Sequence, residues 1–125
     1  MAQWNSNCVP KCEEKKHSEE VLVTIQITGY RGDIIKRVVK AVYFPFHNCT
    51  VEDMRWDMLD GVPDDWDYSE EDDSWWIPQG WYEVCDYFDD YSYASITDKV
   101  IAWMKMPKPF ESSVKPFGLV KGEGE

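Results

Sequence analysis

Basic residues are scarce in this chain: 13 Lys and Arg face 24 Asp and Glu over 125 residues, a formal net charge of −11. Phosphate backbones are held by clustered cations, so direct nucleic-acid binding is not expected. His is scarcer still. His17 and His47 both sit in polar stretches with no Gly-framed Ser or Cys nucleophile nearby, and no glycine-rich phosphate loop occurs. The reading is therefore non-enzymatic, with no cofactor. No stretch approaches the roughly 18 consecutive apolar residues of a membrane span. Met1-Ala2-Gln3-Trp4-Asn5 lacks the basic start and apolar run of a secretory signal. These absences point to a cytoplasmic protein, in the cell interior and away from membranes, with its four cysteines reduced.

Aromatic rings, by contrast, are plentiful. Seven Trp, seven Tyr and five Phe make up 15% of the chain, more than one small core requires, so some are expected at a surface. The acidic residues are also unevenly placed. Residues 52–90 hold fifteen Asp or Glu against the single Arg55, a net of −14, whereas the remainder has nine acids and twelve bases, a net of +3. Five of the Trp (Trp56, Trp66, Trp75, Trp76 and Trp81) fall in the acidic part.

Hydropathy and turn signals give an α+β fold: a small antiparallel sheet of about four strands, one short helix and a long acidic, Trp-rich insertion. The whole of 1–125 is read as a single domain, since the length allows one core. Residues 1–19 are irregular. Val21 to Thr28 alternates strictly and is a strand, and Gly29 to Asp33 is a turn. Ile34 to Phe46 fits either a helical face or a strand; its β-branched content and the preceding turn favour the strand, making 21–46 a hairpin. Residues 47–74 are a helix plus an acidic loop, the helix running from a capping box at Thr50-Val51-Glu52-Asp53 to about Leu59. Residues 75–110 supply strands that close the sheet, around Pro78-Gln79-Gly80 and then Lys99 to Met106, stopped by Pro107 and Pro109. A mobile tail is expected over 111–125. Trp103 is placed as a core cap and Trp66 on the exposed loop.

Two sets of candidate site residues follow. Asp64, Asp65, Asp67, Glu70, Glu71, Asp72 and Asp73, with Trp66, Trp75 and Trp76, interleave carboxylates and rings. Spaced negative charge imitates a nucleic-acid backbone, and rings supply the anchors on which interface energy concentrates. The same run puts Asp65, Asp67, Ser69, Glu71 and Asp73 at alternating donor positions, as a calcium loop does. It lacks the glycine at the sixth position, which is Glu70, and the acid at the twelfth, which is Trp76. The second set is Cys8, Cys12, His47, Cys49 and Cys85, soft ligands for a metal such as zinc. Only Cys8 and Cys12 have ligand-pair spacing, so buried or incidental thiols are the plainer reading.

Several phrases are similar to a family of phage and prophage proteins, the "domain of unknown function 551" family. They are Trp4, Pro10, Glu20-Val21-Leu22-Val23, Ala41-x-Tyr43, Gly80-Trp81-Tyr82-Glu83 and the closing Val100-Ile101-Ala102-Trp103-Met104-Lys105-Met106-Pro107-Lys108-Pro109. The closing signature departs at Lys105, where Pro is usual, at Met106 for Leu, and at Lys108 for an acid. The resemblance implies a small viral α+β domain acting inside an infected cell, and no activity. Taken together, the expectation is a phage accessory protein. It would bind and modulate a host protein with a basic surface, such as a nucleic-acid-binding defence protein, through an acidic nucleic-acid-mimicking face. A small metal- or small-molecule-binding domain is the alternative, and a structural module the third reading.

Overall fold

A computed structural model describes residues 3–58, 60–87 and 90–109. Seven strands occur in chain order: β1 (Val21–Thr28), β2 (Ile34–Phe44), β3 (Tyr68–Ser69), β4 (Ser74–Trp75), β5 (Gly80–Tyr87), β6 (Asp90–Ser95) and β7 (Lys99–Lys105). Five form an antiparallel sheet in the order β6-β5-β2-β1-β7, and β3 and β4 form a separate small hairpin. Among the described residues there is no helix, so the α+β expectation is corrected to an all-strand fold. The expected tail over 111–125 lies outside the described residues.

The β1–β2 hairpin follows from its local chemistry. Alternation in β1 puts Val21, Val23 and Ile25 fully inside. Tyr30-Arg31-Gly32 forms the connecting loop, with Gly32 at φ 86° where a left-handed residue is needed, and Gly29 N–H donates to the Asp33 carbonyl at 2.7 Å. Ile34 to Phe44 is a strand throughout, resolving the helix-or-strand ambiguity, because each of Ile34 to Ala41 pairs in register with β1.

The sheet cannot be flat. β6 and β7 are its two edges, four strand spacings or about 19 Å apart, yet only Ile96, Thr97 and Asp98 connect them. The four residue steps from Ser95 to Lys99 reach at most about 14 Å. The sheet therefore curls, helped by a bulge in β7 where Ile101 is the extra residue opposite Thr24 and Ile25. The concave side holds one core of Val21, Val23, Ile25 and Ala41, with Trp81, Ile96, Val100 and Trp103 packed against it. The other side of β2 and β5 carries a second core of Val42, Phe44, Tyr82 and Val84, joined by Cys49 and Ile77. Residues 41–44 are consequently buried on both faces.

The N-terminal segment is irregular but anchored. Asn5 exchanges backbone hydrogen bonds with Trp103 (2.7 and 2.9 Å), and the Trp103 indole N–H donates to the Cys8 carbonyl at 2.9 Å. Trp103 is half-buried against the concave core rather than wholly within it, and what it holds down is the start of the chain. Further along, buried Ser18 continues the pairing beyond β1. Its N–H donates to the Tyr43 carbonyl, and the Tyr43 N–H donates to its Oγ, both at 2.9 Å.

The expected helix is a single turn, capped at both ends. Thr50 and Asp53 form the reciprocal capping box: Asp53 N–H donates to Thr50 Oγ1 at 3.1 Å and Thr50 N–H to Asp53 Oδ2 at 3.0 Å. Only five residues later the chain closes with paired terminal bonds, Trp56 N–H to Val51 O (2.9 Å) and Arg55 N–H to Glu52 O (3.0 Å), with Arg55 left-handed at φ 56°. Val51, Met54 and Trp56 all pack on the Phe44 core. A straight helix would carry some of these side chains away from it, and one turn gains too little by itself to resist. Arg55→Gly should stabilise the fold by about 0.5–1 kcal/mol in thermal unfolding, since glycine is unstrained at this φ and Arg55 has an exposed side chain.

Candidate functional site

The site is built where two distant segments zip together. Val51 N–H donates to Trp75 O (3.0 Å) and Ile77 N–H to Cys49 O (2.8 Å), flanking a bridge between Thr50 and Trp76. Trp76 N–H donates in turn to Asp67 O at 2.8 Å, extending the β3–β4 hairpin. Three stretches thereby converge: 46–51 after β2, 65–67 before β3, and 75–77 at the end of β4.

At this junction the rings of Phe46, His47 and Trp76 form a stack. Phe46 and His47 centroids are 4.0 Å apart and His47 and Trp76 centroids 4.9 Å apart, each pair only 11° from parallel. Consecutive residues stack in this way because His47 is left-handed at φ 46°, a conformation His tolerates better than most residues. Asp67 Oδ2 lies 2.9 Å from His47 Nε2, fixing the imidazole in the stack. A cavity of about 130 Å³ opens beside it, lined by Phe46, His47, Asp65, Trp66, Asp67 and Trp76 together with Ile77, Pro78 and Gln79. Phe46 is 64% exposed, so the stack reaches the surface.

The acidic run is more ordered than the loop expected for it. Asp64 and Asp65 form the tip of a turn closed by Trp66 N–H to Pro63 O at 3.2 Å. Tyr68–Ser69 and Ser74–Trp75 pair as β3 and β4, so the expectation of an unbroken loop from 64 to 74 is corrected. Glu70, Glu71, Asp72 and Asp73 occupy the hairpin turn. Ser69 Oγ and the Asp72 carboxylate bond at 3.0 Å, Asp72 N–H donates back to Ser69 Oγ at 3.2 Å, and the Tyr68 hydroxyl donates to Asp73. The Asp73 carboxylate raises the Tyr68 hydroxyl pKa by holding its proton. Trp75 packs edge-on to Tyr68 at 4.9 Å.

The predicted partner-binding residues, linked through the Trp76–Asp67 hydrogen bond, fall into two groups. Asp65, Asp67, Trp66 and Trp76 line the cavity, while Glu70, Glu71, Asp72, Asp73 and Trp75 belong to the hairpin, with Asp64 beside them on the turn. Trp66 is half-buried against the Phe44 core, which corrects its placement on an exposed loop. Phe46 is not among the residues the sequence singles out, and His47 stands there only as a candidate metal ligand. No local pattern marks either, because the Trp76 that completes the stack is 29 residues beyond His47.

The metal ligand candidates are not gathered. Among the described residues, no three His, Cys, Asp or Glu side chains come together in a way that would hold an ion. His47 is engaged by Asp67 and the two rings. Cys8 is exposed, Cys12 and Cys85 are half-buried, and Cys49 is wholly buried in the second core. Burial, with the negative charge of Asp53 and the nearby Cys12, pushes the Cys49 thiol up to about 11, so it stays protonated and unreactive at neutral pH. A cavity of about 1110 Å³ is lined by the N-terminal segment near Cys8, Cys12 and Trp103, and its lining mixes lysines with Glu13, Glu19 and Asp53.

Arg31, Lys36 and Arg37 lie on the projecting part of the β1–β2 hairpin with exposed Tyr30, Ile34, Ile35 and Val38. The acids crowd around β3, β4 and the stack. Among the described residues, no helix is long and apolar enough to cross a membrane. Compared with models of known families, with curated proteins and with solved structures, the chain gives no match.

Proposed function

We propose that this chain is a non-enzymatic binding protein that docks on a basic surface of a partner protein through its acidic, aromatic end. The observation that supports it best is the surface stack of Phe46, His47 and Trp76 set among the carboxylates of Asp65 and Asp67, with the acidic turn of β3–β4 alongside. Rings held rigid before binding lose little entropy on docking, and surrounding carboxylates steer a cationic partner. A partner surface of this sort is one that otherwise holds nucleic acid. The phage resemblance would make the partner a host protein and the setting the interior of an infected cell.

The test is capture from a host lysate with the intact chain as bait, at about 50 mM and about 300 mM salt. Binding should weaken steeply across that range, because exposed charge pairs are screened within roughly 10 Å at 0.1 M. A partner retained equally at both salts would overturn the electrostatic reading.

A further inference from the structure

We infer that the cavity beside the stack is a receptor for a single arginine side chain of the partner. This inference rests on the proposed function and sharpens it from a charged face to one pocket. Three features select the ligand. Near-parallel rings present flat π faces, which attract cations and suit a planar one best. Two carboxylates stand at the same opening. Asp67 spends one oxygen, Oδ2, on His47, and Asp65 has no hydrogen-bond or ion-pair partner among the described residues. A guanidinium can stack on a ring and bond a carboxylate with two parallel N–H donors, which an ammonium cannot do. Finally, a cavity of about 130 Å³ is large enough to admit the planar head of one side chain. Ile77 and Pro78 add apolar lining, beside Gln79.

In the acidic hairpin turn, Glu70 and Glu71 are exposed, and Asp72 and Asp73 are already bonded to Ser69 and Tyr68. The two parts would divide the work, the hairpin attracting a basic surface and the pocket choosing one residue of it.

The probe is an acetyl-Gly-Arg-Gly-amide peptide, titrated into the intact protein while the Trp indole N–H signals are followed by NMR. Its lysine and citrulline counterparts are the comparisons, citrulline being the neutral isostere. The Arg peptide should move the Trp66 and Trp76 signals and leave Trp4 unmoved. It should bind about fivefold tighter than the Lys peptide, and the citrulline peptide should not bind. Asp65→Asn should cost about fivefold or more, whereas Glu71→Gln, at the hairpin turn, should cost less than twofold. Phe46→Ala, at an exposed ring, should abolish the Arg preference without lowering the melting temperature. Equal binding of Arg and Lys peptides, with Asp65→Asn and Glu71→Gln equivalent, would overturn the pocket while leaving a diffuse acidic face intact. Binding of the citrulline peptide, or no signal movement with any peptide, would also overturn it. The lysate capture reads the broader proposal separately, since it depends on the whole face.

Discussion

Phe44→Ala is expected to be the most damaging single substitution in the chain, costing about 3–5 kcal/mol. Phe44 is fully buried and central to the second core. Its ring lies 4.8 Å from Tyr82, 5.3 Å from His17, 5.7 Å from Trp56 and 6.4 Å from Tyr93, mostly edge-to-face. Those neighbours come from the N-terminal segment, the capped turn, β5 and β6, so one truncation removes a contact from four parts of the fold at once. Collapse is restricted because β2 is covered on both faces here. The measurement is denaturant unfolding of the variant beside Tyr30→Ala, a change at a fully exposed ring that should cost under about 0.5 kcal/mol. Similar losses for the two would mean that the core is not centred on Phe44.

The second large effect is on binding. Replacing Asp64, Asp65, Asp72 and Asp73 together with Asn should reduce partner affinity by about 10- to 100-fold, since each lost charge pair at an interface removes on the order of 1–3 kcal/mol, and less at an exposed rim. The fold should be unaffected or slightly firmer. Asp64 and Asp65 are at a turn tip, where Asn is equally suited. Asn at 72 can keep the Ser69 bond, and Asn at 73 tolerates φ 50° at least as well as Asp. Removing four like charges also relieves repulsion in the free protein. Melting temperature and affinity are read on the same variant. An intact fold with undiminished affinity would make the acidic run a bystander and return attention to the rings of Phe46 and Trp76.

The two effects lie on different links of the chain from sequence to function. Phe44 acts through packing, and its loss would reduce binding only by unfolding the protein. The carboxylates contribute little to the fold, which leaves their charge free for use at a surface. The stack joins the two, because Trp76 is both a bridge partner of Thr50 and a wall of the cavity.

Much of the sheet was legible in the sequence. The alternation of Val21 to Thr28, the glycine turn after it, and the Lys99 to Met106 strand ended by prolines are all local signals, set by side-chain period and backbone freedom within a few residues. The segregation of charge into 52–90 is equally plain. The capping box at Thr50 was also read correctly as hydrogen-bonding chemistry, and the structure contains both of its bonds. The helix assigned after it was wrong, because a box states how a turn begins and not how long it lasts. Its length was decided by Val51, Met54 and Trp56 packing on one distant core, which bends the chain at Arg55. β6, the β3–β4 hairpin and the curl of the sheet were likewise settled by pairing between strands. The assembly of the site belongs to that second category, although Asp65, Asp67 and Trp76 already stand out in the acidic, Trp-rich run. Phe46, His47, Asp65, Asp67 and Trp76 lie in three separate stretches, and only the bonds joining 49–51 to 75–77, and Asp67 to Trp76, make one surface of them. Sequence patterns report what neighbours along the chain require of each other; which strangers meet is determined by the free energy of the whole packed fold.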